Sequence, residues 1–80
     1  GSEDEEVDEK VDLKQKIKKL YNLIKSALEG REQTIIKLRY GLNGRSGKTQ
    51  REVAEKLGIS RSYVSRIEKK ALTKLYDGLK

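Results

Sequence analysis

The segment QREVAEKLGISRSYVSRIE, residues 50–68, constrains this chain more than any other. Val53, Ala54 and Leu57 put apolar side chains at helical spacing before Gly58, and Val64, Ile67, Ala71 and Leu75 do the same after it. Gly58 stands where the first helix must end, because a residue without Cβ takes positive φ at little steric cost. Ser60 predicts an N-cap, its hydroxyl accepting from a free backbone N–H of the next helix. Ala54, four residues before the glycine, is small where two crossing helices come closest. Small, flexible and apolar residues at these offsets form the pattern of a helix-turn-helix, a motif whose second helix enters the DNA major groove.

Eighty residues with 34% hydrophobic content, four tyrosines and no phenylalanine or tryptophan allow one domain with a small, mostly aliphatic core. An all-α fold of about four helices fits best. The absence of cysteine and histidine excludes a disulfide frame, a zinc site and nearly every nucleophile–base pair, so no enzymatic activity, metal or cofactor is expected. No apolar run approaches the roughly 20 residues that cross a bilayer, and nothing resembles a signal peptide. The expectation is a soluble, cytoplasmic protein.

Charge is unevenly divided. Residues 1–30 hold six lysines against eight acidic residues, and residues 31–80 hold thirteen Lys or Arg against five Asp or Glu, a net charge of +8. A basic half carrying a helix-turn-helix suits a polyanion, since each neutralised phosphate releases condensed counterions. Gly1 and Ser2 have the look of a tag scar, and EDEEVDE at residues 3–9 cannot bury enough surface to fold alone. Residues 1–10 are therefore expected to be a disordered acidic tail or linker end, and residues 11–80 a helical domain.

Leu13, Ile17, Leu20, Ile24 and Ala27 recur at steps of three and four, predicting an amphipathic helix over residues 11–28 whose apolar stripe joins the core. Gly30 ends or interrupts it. REQTIIKLRY, residues 31–40, predicts a second helix, with Ile35, Ile36 and Leu38 apolar. GLNGRSGK, residues 41–48, is a loop anchored by Leu42. Its Gly-Lys-Thr ending invites comparison with a P-loop, but GxxxxGK[ST] requires glycine at position 42, where leucine stands, and no strand precedes it. Thr49 with Glu52 three residues on makes a capping box, and a helix N-terminus so exposed also suits a phosphate.

The last helix, from residue 61 to about 77, carries Val64, Ile67, Ala71 and Leu75 on one side and Arg61, Ser62, Ser65, Arg66 and Lys69 around the other. Arginine reaches guanine O6 and N7 with two parallel hydrogen bonds, serine contacts bases or phosphates, and Tyr63 can meet a phosphate or a thymine methyl. Lys69, Lys70 and Lys74 are expected near the helix C-terminus, where positive charge favours the macrodipole.

REQTIIKLRYGLNG and KTQREVAEKLGISRSYVSRIEKKALTKL together resemble the C-terminal domain, region 4, of bacterial RNA polymerase sigma factors. The wording SRSYVSRIEKKAL is most similar to the sporulation sigma factors of the mother-cell type. The resemblance implies a monomeric domain that recognises the minus thirty-five promoter element within the holoenzyme. It places Arg61, Ser62, Tyr63 and Arg66 at base-contacting positions, and Arg31, Arg39, Thr49, Gln50 and Ser65 at backbone-contacting ones. It also implies an apolar groove near Ile35, Leu38 and Leu42 that receives the flap-tip helix of the polymerase β subunit, with Lys70 and Lys74 facing activators. Ser62 and Arg66 replace the glutamate and glutamine of many primary sigma factors, so the promoter sequence does not carry over. The alternatives are a protein-interaction module for the β-flap or an anti-sigma or regulatory protein, and a stand-alone dimeric helix-turn-helix regulator paired through residues 11–28.

Overall fold

The computed structural model describes residues 9–42 and 44–80, and these form four helices: α1 (Glu9–Ala27), α2 (Gly30–Tyr40), α3 (Gln50–Leu57) and α4 (Arg61–Leu79). Among the described residues there is no strand, in keeping with the all-α expectation, and no helix is long and apolar enough to cross a membrane. The acidic stretch expected to be disordered lies outside the described residues up to position 8, while Glu9 and Lys10 already belong to α1.

The break between α1 and α2 falls one residue earlier than Gly30 suggests. Glu29 holds the N-cap position in extended backbone (φ −79°, ψ 168°), and its N–H donates to Glu32 Oε1 at 2.8 Å. Gln33 Nε2 donates to Leu28 O at 3.0 Å, serving a carbonyl that the end of α1 leaves free. Gly30 thus opens α2 rather than breaking the chain.

Hydrophobic burial divides into two clusters joined by α2 and α4. In the first, Ile24 near the end of α1 and Leu28 just after it meet Ile36, Ala71 and Leu75, with Leu20, Leu23 and Leu42 half-buried around them. In the second, Ile35, Val53, Ala54 and Val64 pack together, flanked by Leu38, Leu57, Ile59 and Ile67. Ile35 and Ile36 are neighbours in sequence, and the roughly 100° turn between successive helical residues sends them to different clusters. Ala54 is buried at the α3–α4 crossing, where its size was expected to matter.

The apolar stripe of α1 is only half covered. Leu13 is 58% exposed and Ile17 44%, so the expectation that the whole stripe joins the core holds from Leu20 onward and fails before it. The period of a stripe specifies a helix; whether another element reaches far enough to cover it is a tertiary matter. At the other end α4 runs to Leu79, beyond the expected stop near Asp77. Lys69, Lys70 and Lys74 consequently lie before its last turn, and their macrodipole reading lapses because that effect is confined to the final turn.

Candidate nucleic-acid interface

The bend between α3 and α4 is built by local chemistry. Gly58 takes the left-handed conformation (φ 69°), and the N–H groups of Gly58 and Ile59 both donate to the carbonyl of Ala54. Ser60 Oγ accepts from the Tyr63 N–H at 3.1 Å and caps α4, as its position predicted. At the start of α3, Thr49 Oγ1 accepts from the Glu52 N–H at 3.1 Å while Glu52 Oε1 accepts from the Thr49 N–H at 2.8 Å. Those bonds hold the Glu52 carboxyl below its usual range, the backbone N–H of Thr49 being the main cause. The Thr49 side chain, hydrogen-bonded to the same carboxyl, lowers it further.

Arg61, Ser62 and Arg66 are exposed on the first two turns of α4, while Val64, between them, is fully buried against Val53 and Ala54. Tyr63 is half-buried, and the Arg66 guanidinium lies over its ring at 5.8 Å from the centroid. Ser62 Oγ sits 3.3 Å from the capping Ser60 Oγ. Four of the residues named for base contact therefore occupy one short, buttressed helix start, with three of them open to solvent.

The backbone-contact set is more dispersed. Thr49 is exposed at the α3 N-terminus and Ser65 is exposed on α4. Arg31 is exposed in the first turn of α2, about 12 Å along the helix from Arg39 at 1.5 Å per residue. Arg39 and Gln50 need correction, because both turn inward to Glu68. Arg39 Nε and Gln50 Nε2 each donate to Glu68 Oε1 at 2.9 Å, and Tyr40 O–H donates to Oε2 at 2.8 Å. A second Arg39 nitrogen, Nη1, donates to the Lys48 carbonyl at 2.6 Å, and the Lys48 N–H donates to the Leu38 carbonyl at 2.9 Å. A buried carboxylate needs such donors more than a solvated phosphate does, and it captures them.

Glu68 is the site residue that sequence reasoning missed. Burial alone raises its carboxyl, but the bonds from Arg39, Gln50 and Tyr40 outweigh burial and leave it below its usual value. The same bond to Glu68, with burial adding, raises the Tyr40 phenol. The available signal was position: Glu68 falls four residues after Val64 and three before Ala71, on the apolar side of α4, where a charge requires partners.

An open apolar groove exists, but it does not run where the resemblance puts one. Ile35 is wholly buried and Leu38 packs in the same cluster, so neither lines it. The open groove, of about 940 Å³, runs between α1, α2 and α4 past Leu20, Ile36, Tyr40, Leu42, Leu72 and Tyr76. Leu42 alone of the three expected residues lies along it. Lys74 also differs from expectation: its Nζ donates to Glu32 Oε1 at 2.9 Å, an ion pair tying α4 to the start of α2, while Lys70 is exposed. Burial raises the Glu32 carboxyl, and the Glu29 N–H and Lys74 more than offset it, so the group ends below its usual range.

The protein family described as Sigma-70, region 4 matches residues 26–77, which takes in α2, α3 and nearly all of α4. The chain belongs to this family. The region 4 domain is 48% identical over 75 residues to the RNA polymerase sigma-K factor of Bacillus subtilis (strain 168), covering 94% of this chain and 25% of that protein. It is also 48% identical over 75 residues to the RNA polymerase sigma-28 factor of Bacillus thuringiensis subsp. kurstaki, covering 94% of this chain and 31% of that one. The RNA polymerase sigma-E factor of Clostridium acetobutylicum is 56% identical over 48 residues, 60% of this chain and 20% of its own. The region 4 chain thus spans a third or less of the length of these relatives, which are the sporulation-type sigma factors that its wording anticipated. No solved structure matches it.

Proposed function

We propose that this region 4 domain binds promoter DNA in transcription initiation, laying the start of α4 in the major groove of the minus thirty-five element. The observation that carries the reading is the exposure of Arg61, Ser62 and Arg66 on a helix start that is capped by Ser60 and backed by fully buried Val64. Arg61 and Arg66 supply the bidentate donors that discriminate guanine, with Ser62 and Tyr63 beside them. Thr49, Ser65 and Arg31 address phosphates, and the +8 charge of residues 31–80 supplies the counterion release that drives association. The role is one of binding, as part of a longer sigma factor.

Selection of bound duplexes from a randomised pool tests this directly. An enriched sequence is expected, and Arg66→Ala should weaken binding to it by about 1–3 kcal/mol while changing affinity for random duplex little. Equal losses on both duplexes would remove Arg66 from the readout, and a pool that never enriches would overturn the proposal.

The open groove favours a second contact made at the same time. Its apolar wall suits an amphipathic helix, and the family relationship makes the β-flap of RNA polymerase core the partner we assign to it. A flap-tip peptide should bind the wild-type chain and not Leu72→Glu, which places a charge on the wall; binding unaffected by that change would move the contact elsewhere. An anti-sigma factor using the groove would compete with the peptide.

A further inference from the structure

The buried carboxylate of Glu68 lies on the same helix as the base-facing residues, less than one turn beyond Arg66. Its side chain is 6% exposed, and it accepts from three side chains that belong to two other elements. Arg39 and Tyr40 come from the last turn of α2, and Gln50 is the first residue of α3. Through Arg39 Nη1 the same network reaches the Lys48 carbonyl, immediately before the Thr49 cap. One carboxylate therefore fastens the end of the 41–48 loop, the N-terminus of α3 and the reading helix α4 at a single point.

We infer that Glu68 is a positioning residue for DNA reading, setting the angle and register of the first turns of α4 relative to the α3 N-terminus. This rests on the promoter-binding reading above. Apolar contacts through Ala54 and Val64 hold α3 against α4, but such contacts are non-directional and leave small rotations cheap. Hydrogen bonds at 2.8–2.9 Å from three differently placed donors fix direction as well as distance. A base contact demands that fixity, since its two parallel bonds tolerate little displacement of the helix, whereas contact with phosphates tolerates more. Glu68 thus acts on discrimination rather than on overall attraction for the duplex. Arg39 serves the same purpose from the other side, its fork spanning Glu68 and Lys48.

The test uses the 80-residue chain, the duplex that its wild-type form selects from a randomised pool, and random duplex of equal length. Glu68→Gln keeps the side-chain shape and removes the charge that gathers the donors. Arg39→Lys keeps the positive charge, so attraction to phosphate survives, but an ammonium cannot span both acceptors as the guanidinium does. Circular dichroism first establishes that each variant is folded at the assay temperature. The expected result is at least a tenfold fall in the ratio of selected to random affinity for both variants, with random-duplex affinity within threefold of wild type. The double variant should lose no more discrimination than the larger single loss, because both residues act through one network. A folded variant whose ratio stays within threefold of wild type overturns the inference. Should Glu68→Gln fail to fold, Arg39→Lys alone decides by the same criterion. If the wild-type chain selects no sequence, the promoter-reading proposal is what fails, so the two failures are distinct.

Discussion

Two glycines end helices with nearly the same backbone angles, yet substituting them should have very different consequences. Gly41 closes α2 with φ 62° and Gly58 closes α3 with φ 69°. Either alanine variant incurs the left-handed penalty of about 1–2 kcal/mol, partly offset by the ~0.4–1 kcal/mol gained from a stiffer unfolded chain. At Gly58 nothing lies within 4 Å of an added Cβ, so a net loss of about 1 kcal/mol is expected. At Gly41 the added Cβ would run into the backbone carbonyl of Arg45 and crowd the Gly47 nitrogen, so the 41–48 loop must move. That movement endangers the Gly41 N–H bond to Lys37, the Lys48 N–H bond to Leu38 and the Arg39 bond to Lys48. At roughly 1 kcal/mol each, their loss takes Gly41→Ala to about 3–4 kcal/mol. A domain this size has about 4–12 kcal/mol in all, and each kcal/mol moves Tm by about 4–8 °C. Urea titration and thermal melting followed by circular dichroism should therefore show Gly58→Ala melting about 4–8 °C lower and Gly41→Ala at least ~12 °C lower. Equal destabilisation of the two variants, or a larger effect at Gly58, would refute the steric reasoning.

The carboxyls of Glu32 and Glu68 are both held below their usual range in the folded chain, so the stability they contribute is present at neutral pH and lost as protons are taken up. Urea midpoints should accordingly fall mainly from about pH 4.5 downward, and Glu68→Gln should flatten part of that fall. Lys74→Ala strands the buried Glu32 carboxylate and should cost about 1–3 kcal/mol in urea titrations, against less than ~0.5 kcal/mol for exposed Lys70→Ala. Ile17→Ser on the open part of α1 should shift stability by less than ~0.5 kcal/mol, whereas buried Ile24→Ala should cost about 2–5 kcal/mol; comparable losses would mean that Ile17 is covered in solution.

What could be read from the sequence was local. The capping of α3 by Thr49 and Glu52, the bend at Gly58 and the cap at Ser60 each depend on residues within four positions, and the structure forms all three. The two apolar faces of the helix-turn-helix follow from period alone, and Val53, Ala54 and Val64 do meet. Glu68 and Glu32 were illegible for the opposite reason. Their partners Arg39 and Lys74 stand 29 and 42 residues away, and a charge on a helix reads as solvated until its neighbours are known. Ile35 illustrates the remaining gap. Its apolar character said that it would be covered, but only the crossing of α2 with α3 and α4 decides that the cover is the protein's own core rather than a partner in the groove. The outward arginines of α4 were legible as a face, whereas the inward pull on Arg39 and Gln50 was not.

One long rod serves both cores. α4 gives Val64 to the cluster beneath its first turns and Ala71 and Leu75 to the cluster that holds α1. The half that would touch the duplex consequently has a keel of its own, so peeling α1 away would bare one core and leave the other intact. Conversely, anything that grips the far end of the rod has a lever on the near end.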